Sequence, residues 1–149
     1  MMSEKKYVVC DLDGTLCNHR HRVHLAWLGK WNEYNAASCY DDVIEETQRF
    51  LYELSVLNGK DIIFLTGRSV DFTTTTRQWL NTKGFTSFHL IMRQNNDYRQ
   101  AQDFKKYSLL EWGTKNDVLM SQIDYAIDDD ERCIAMFKEL NIKKVIHYK

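Results

Sequence analysis

Residues 11–16 read Asp11-Leu12-Asp13-Gly14-Thr15-Leu16, directly after the apolar run Tyr7-Val8-Val9-Cys10. A short β-branched run that ends in two aspartates spaced i, i+2 puts both carboxylates just past a strand's carboxyl end. Gly14 lets the chain turn sharply, and Thr15 opens the next segment. In open parallel sheets that edge is where ligands bind. One carboxylate there can attack phosphorus, while its neighbour passes protons to and from the oxygens involved. Four fixed positions of this kind arise by chance in on the order of one in a thousand chains of this length. A polar turn merely capped by Asp13 is the weaker reading.

Outward from this hexapeptide, strand-like and helix-like segments alternate. Tyr7 to Cys10, Asp61 to Leu65, Phe88 to Met92, Tyr125 to Ile127 and Lys144 to His147 have strand length and composition. Val43, Ile44, Phe50, Leu51, Leu54 and Leu57 form one helical stripe, stopped by Asn58-Gly59, and Ile134, Phe137 and Leu140 form another. Both stripes read as core. The alternation predicts an α/β fold: a parallel sheet of about five strands with helices on both faces, in one domain spanning 1–149. Gln94 to Gln102 lacks apolar periodicity and reads as a long active loop.

The other chemistry-bearing residues also fall at predicted strand ends. Phe64-Leu65-Thr66-Gly67-Arg68 covers the end of the second strand and the turn after it. The Thr66 hydroxyl and the amides near Gly67 can donate to phosphate oxygens, and Arg68 adds a planar fork suited to a dianion. Asp128-Asp129-Asp130 follows the fourth strand. Adjacent carboxylates repel one another unless protons or a cation relieve them, and a hard cation such as Mg²⁺ suits oxygen ligands. Asp129 or Asp130 can equally cap the helix that starts at Glu131, and different aspartates can fill the two roles. Positive charge for a phosphoryl group can come from Lys105, Lys106 or Arg99.

Asn18 to His24 is the densest cationic cluster, with His19, Arg20, His21, Arg22 and His24. It lacks the regular spacing of a zinc site and reads better as a segment facing phosphate or substrate. Trp27, Trp31 and Tyr34 follow at about helical spacing, which usually means core; the alternative is a stacking surface for a base.

The bulk composition excludes several classes. A 149-residue chain with 44% hydrophobic and 28% charged residues is ordinary for a globular protein. Its net charge of −1 argues against a strongly basic nucleic-acid platform, without excluding a local basic pocket. Cys10, Cys17, Cys39 and Cys133 form no C-x-x-C pair and read as small buried residues in a reducing compartment. With no signal-like or membrane-length apolar run, the expectation is a soluble, cytoplasmic protein.

The order D-L-D-G-T, T-G-R, lysine, D-D resembles the haloacid dehalogenase superfamily, with its Rossmann-like sheet. Within it, the chain is most similar to the 3'-phosphatase domains of phage polynucleotide kinase–phosphatases. The resemblance runs from Tyr7 to Ile146 and rests on Asp11 to Leu16, His21-Arg22, Thr66-Gly67-Arg68, Met92-Arg93, Asp97-Tyr98-Arg99, Lys105 and Ala126-Ile127-Asp128-Asp129. It implies Asp11 as nucleophile, Asp13 as general acid/base, and Thr66 with Lys105 holding the phosphoryl group. It further implies Mg²⁺ held by Asp11, the backbone carbonyl of Asp13, and Asp128 or Asp129. Arg22, Gly67, Arg68, Arg93 and Arg99 become candidate substrate contacts. Ala101 and Asp130 depart from the family's pattern, which bears on the substrate more than on the chemistry.

No G-x-x-x-x-G-K-[ST] loop is present, so a P-loop kinase half is absent from this sequence. About fifty residues separate the first two motifs, enough for a helical hairpin but not for a large cap. An open site suits a phosphorylated nucleic-acid end, or alternatively a nucleotide or other small phosphate. A binding module without turnover is the third reading. For acid catalysis Asp13 is expected to have a raised pKa, favoured by a neighbouring carboxylate.

Overall fold

The computed structural model describes residues 4–149. Five parallel strands form the sheet: β1 (Tyr7–Cys10), β4 (Asp61–Ser69), β5 (His89–Arg93), β6 (Ile123–Asp128) and β7 (Lys144–His147), in the order β5-β4-β1-β6-β7. The chain leaves β1 toward β4 and β5 on one side, then crosses back to β6 and β7 on the other. β1 is therefore the switch point, where a crevice opens beyond the strands' carboxyl ends. That crevice receives the Asp11 to Leu16 loop.

Strand alternation distributes the core to the two faces. Tyr7, Val9, Ile63 and Leu65 pack with Phe104, Leu109, Met136 and Phe137, which lie on α5 (Ala101–Lys115) and α6 (Glu131–Glu139). Val8, Cys10, Ile62 and Phe64 pack with Leu51 of α3 (Glu45–Tyr52) and with Trp79 and Leu80 of α4 (Thr73–Thr82). Both faces of the sheet are thus covered by helices.

The insert after the Asp11 loop is small. β2 (Cys17–Asn18) pairs antiparallel with β3 (Asp42–Val43), and between them lie α1 (Val23–Trp27), α2 (Trp31–Ala36) and a 3-10 turn at Ala37–Tyr40. Four expectations are corrected here. Val43 belongs to β3, not to the helical stripe, because it pairs with Cys17. Leu57 ends a π-helical turn, Glu53–Leu57, and faces solvent. Of the expected aromatic core stripe only Tyr34 is buried; Trp27 and Trp31 are exposed. The predicted turn Thr66-Gly67-Arg68 lies inside β4, although its pairing with β5 is interrupted between Leu65 and Ser69. No helix among the described residues is long and apolar enough to cross a membrane.

Candidate active site

β1, β4 and β6 end side by side, and each delivers one group. Asp11 follows β1, Thr66 lies in β4, and Asp128 ends β6, all buried. Lys105, on the first turns of α5, reaches between them: its Nζ donates to Asp11 Oδ1 at 2.9 Å and Asp128 Oδ2 at 2.7 Å. Thr15 Oγ1 donates to the other Asp11 oxygen at 2.9 Å. Asp128 Oδ1 accepts from the Asp130 amide at 3.0 Å, which fixes the β6 exit.

Carboxylate oxygens of Asp11, Asp128 and Asp129 lie within 4.8 Å of one another. One ammonium faces three carboxylates. Burial, and then Asp128, push the Asp11 carboxyl well above its ordinary range; burial raises Asp129 as well. Burial works against the Lys105 ammonium, but Asp11 and Asp128 outweigh it and raise its pKa. The excess negative charge on hard oxygen donors fits a divalent cation. Gly14 makes the cluster possible: its φ is +86°, and a Cβ there would collide with Asp129 Oδ2. Asp130 takes the other role, capping α6 by accepting from the Arg132 amide at 2.9 Å.

Asp13 faces a second cluster. Its Oδ1 accepts from Arg22 Nη2 and from Arg68 Nη2, the latter at 2.7 Å, and shares Arg68 Nε, at 3.2 Å, with Oδ2, which accepts from no other group among the described residues. Burial alone would raise this carboxyl, but Arg68 and then Arg22 hold it well below the usual carboxylate range. The expected raised pKa is therefore corrected: the neighbouring groups that decide it are two guanidinia, not a carboxylate.

Both arginines are spent inside the protein. Arg22 donates to Asp41 Oδ1 at 2.8 Å, to Asp41 Oδ2 at 2.6 Å and to the Tyr34 carbonyl at 3.1 Å, and stacks over the Tyr34 ring at 4.2 Å. Arg68 also donates to Thr76 Oγ1 at 3.1 Å. As folded, they position Asp13 and are not open to a ligand. His21 Nε2 completes the Asp41 cluster at 2.6 Å. Asp13, Cys17 and Asp41 cluster in the manner of metal ligands, but the guanidinia occupy that charge.

The loop arginines lie further out. Arg93 donates to the carbonyls of Gly67 at 3.3 Å and Arg99 at 2.7 Å, and stacks over Phe104 at 4.5 Å. Arg99 pairs with Asp97 Oδ2 at 2.5 Å. Both brace the 94–100 loop at the carboxyl edge, with Gly67 beneath Arg93. The three histidines diverge: His19 Nδ1 meets Tyr34 Oη at 2.8 Å, His21 meets Asp41, and His24 is exposed. Cys39 is exposed, whereas Cys10, Cys17 and Cys133 are buried. Sequence reasoning missed Asp41 and Thr76, and read Tyr34 as core without its contacts to Arg22 and His19. One signal was available for Asp41: an arginine that becomes buried needs a carboxylate, and Asp41-Asp42 stand just before the apolar pair Val43-Ile44.

Comparison with known proteins agrees with this fold. A family model described as the polynucleotide kinase PNKP phosphatase domain matches residues 5–146. No curated protein matches. Among solved structures, a chain of the Pnkp1/Rnl/Hen1 RNA repair complex superposes with a TM-score of 0.75 at 23% identity, covering 97% of this chain and 44% of that one. A haloacid dehalogenase-like hydrolase from Streptococcus pneumoniae gives 0.68 at 15% identity, covering 95% and 84%. A class C acid phosphatase from Bacillus anthracis with tungstate bound gives 0.61 at 17% identity, covering 98% and 67%. The chain thus spans less than half the length of the RNA-repair chain it matches.

Proposed function

The chain belongs to the family of polynucleotide kinase PNKP phosphatase domains, and from that premise we propose that it removes 3'-phosphate from nucleic-acid ends through an aspartyl-phosphate, with Mg²⁺ as cofactor. It is a phosphatase of the haloacid dehalogenase-like fold. The observation that carries the chemical reading is the Lys105 bridge between Asp11 and Asp128 at the strand ends, with Thr66 buried in the neighbouring strand β4.

In this reading Lys105 offsets the repulsion between the Asp11 carboxylate and the substrate's phosphate anion, and Thr66 donates to a phosphoryl oxygen. An Asp11 oxygen attacks phosphorus in line as the ester P–O bond breaks, and the leaving oxygen takes the proton that the substrate monoanion has passed to Asp13. Water then attacks the aspartyl-phosphate while Asp13 accepts a proton from it, releasing phosphate and the free Asp11 carboxylate. Asp13 Oδ2, the less engaged oxygen, is the atom suited to this transfer. The guanidinia keep Asp13 ionised, ready for the second half; for the first, a proton can enter on the substrate, since a phosphate monoester's second ionisation lies near pH 6. Asp11, the Asp13 carbonyl, Asp128 and Asp129 would hold Mg²⁺, whose charge would neutralise the developing negative charge on the phosphoryl oxygens.

The engagement of Arg93 and Arg99 within their own loop favours a second reading, a small phosphate such as a mononucleotide. A phosphate-release screen separates the two, using 3'- and 5'-phosphorylated oligonucleotides and 3'- and 5'-mononucleotides with Mg²⁺. The 3'-phosphorylated oligonucleotide should have the highest kcat/KM, and Asp11→Asn should abolish release from every substrate. A preference for 5'-mononucleotides would retire the polynucleotide reading, and turnover by Asp11→Asn would retire the mechanism.

A further inference from the structure

Between Asp13 and Glu33 the chain contains no carboxylate side chain, yet it holds Arg20, Arg22, Lys30, His19, His21, His24, Trp27 and Trp31. This acid-free stretch stands in a protein of net charge −1. Its helical hairpin turns Trp27, Leu28 and Trp31 outward while Tyr34 is buried. α1 has no buried residue; Trp27 is 79% exposed, Leu28 66% and Trp31 58%, with Arg20, His24 and Lys30 exposed along the same hairpin. Trp27 closes α1 and Trp31 opens α2, across a turn at Gly29 with φ +72°.

Side-chain contacts tie this surface to the catalytic edge. The Trp31 ring stands edge-on to Tyr34 at 5.7 Å. Tyr34 Oη meets His19 Nδ1 at 2.8 Å. His19 Nε2 lies 3.2 Å from the point a Gly14 Cβ would occupy, over the loop that carries Asp11 and Asp13 and beside Asp129. Trp31 is thus two side chains removed from the phosphoryl site.

We propose that the exposed hairpin face, Trp27 and Trp31 with Arg20 and Lys30, is a stacking platform for nucleobases of a single strand whose 3' end lies at Asp11. The inference rests on the polynucleotide reading above. Exposed aromatic faces with neighbouring positive charge, on a stretch free of carboxylates from Gly14 to Asn32 with Glu33 the first after it, match a polyanion whose every unit carries a π-face. An apolar protein partner would account for the tryptophans but not for the missing acids.

Two readouts test the platform. The first is tryptophan fluorescence with a single-stranded oligonucleotide ending in 3'-hydroxyl, which does not turn over. It should quench emission in a salt-sensitive way, and Trp27→Ala should remove much of the quenching. The second is kinetic. Trp27→Ala should raise KM for a 3'-phosphorylated oligonucleotide on the order of tenfold, with kcat and the hydrolysis of p-nitrophenyl phosphate kept. Trp31→Phe should keep oligonucleotide KM and Trp31→Ala should lose it. An unchanged oligonucleotide KM in Trp27→Ala and Trp31→Ala would overturn the platform while leaving 3'-phosphatase activity standing. Quenching without any 3'-phosphate release would keep the platform and sink the activity. Loss of self-association in Trp27→Ala, with no effect on oligonucleotide, would reassign the face to a contact between copies.

Discussion

Asp41 accepts three side-chain hydrogen bonds, two from Arg22 and one shared with His21, and lies 3.7 Å from Arg68 Nη2. Asp13 and Asp41 balance Arg22 and Arg68, so removing one carboxylate leaves a buried positive charge. Breaking such a cluster costs roughly 3–5 kcal/mol. Asp41→Asn should therefore lower the unfolding free energy by about 3 kcal/mol in chemical denaturation. In the folded fraction, kcat should fall more than KM rises, because Asp13 loses its fixed orientation. Normal kcat in that fraction would reduce Asp41 to a structural part. The pH dependence follows from the same cluster. Arg68 and Arg22 hold the Asp13 carboxyl low, so it is ionised in the free enzyme at any working pH. The proton needed by the leaving oxygen then comes with the substrate monoanion, and kcat/KM should fall as pH rises past the ester's second ionisation, near pH 6. Esters with a lower second pKa should move that limb down in step; a limb indifferent to the ester would assign it to the enzyme. The stability sign is the familiar one for a depressed carboxyl: the Asp13 contribution is present above its unfolded pKa, about 3.9, and is lost as pH falls below it.

At the scale of elements, α5 combines two constraints. It delivers Lys105 to the strand ends, and it packs closely at Gly113, where a Cβ would lie 2.6 Å from the Val118 carbonyl oxygen and 3.0 Å from Met120 Cε. Glycine to alanine inside a helix ordinarily gains roughly 0.5–1 kcal/mol. Here the obstacle is backbone, in the turn that leads toward β6, so Gly113→Ala should instead destabilise by about 1–3 kcal/mol; a rise in the denaturation midpoint would refute the close approach. The same helix explains what the sequence hid. β1 and β7 were legible to the residue because β-branched runs bounded by polar residues have few alternatives. α6 was legible because Ile134 and Phe137 repeat at helical spacing. α5 carries a buried lysine on its inner face, which breaks the apolar stripe, and α4 opens with four threonines, β-branched residues of low helix propensity. Asp11, Thr66 and Asp128 were legible because each lies near the carboxyl end of an expected strand, whereas Lys105 stood beside Lys106 and Arg99 until the family resemblance singled it out. The Asp13–Arg22–Arg68–Asp41 cluster was not, because its members come from separate segments and meet only through tertiary packing.

Across the whole molecule, the parallel sheet gathers its uncompensated negative charge at one edge, where Asp11, Asp128 and Asp129 share the single ammonium of Lys105. The carboxyl of Asp11 is raised by burial and by Asp128, so its ionised form costs stability once pH exceeds its folded pKa. Two linked effects follow. In chelator, Asp11→Asn should melt a few degrees above the wild type while releasing no phosphate, since it removes one repelled charge and leaves the Lys105–Asp128 pair. A divalent cation should stabilise the wild type by mass action: at one hundred times its dissociation constant the gain is about 2.7 kcal/mol. For a chain of this size that corresponds to roughly 5–10 °C in Tm. Asp128→Asn with Asp129→Asn should melt with little dependence on Mg²⁺, because only one of the three carboxylates is left. Equal Mg²⁺ shifts in wild type and double variant, read by thermal melts in matched chelator and metal, would place the cation elsewhere. A lower melting point for Asp11→Asn would mean that its hydrogen bonds to Lys105 and Thr15 outweigh the repulsion among the carboxylates.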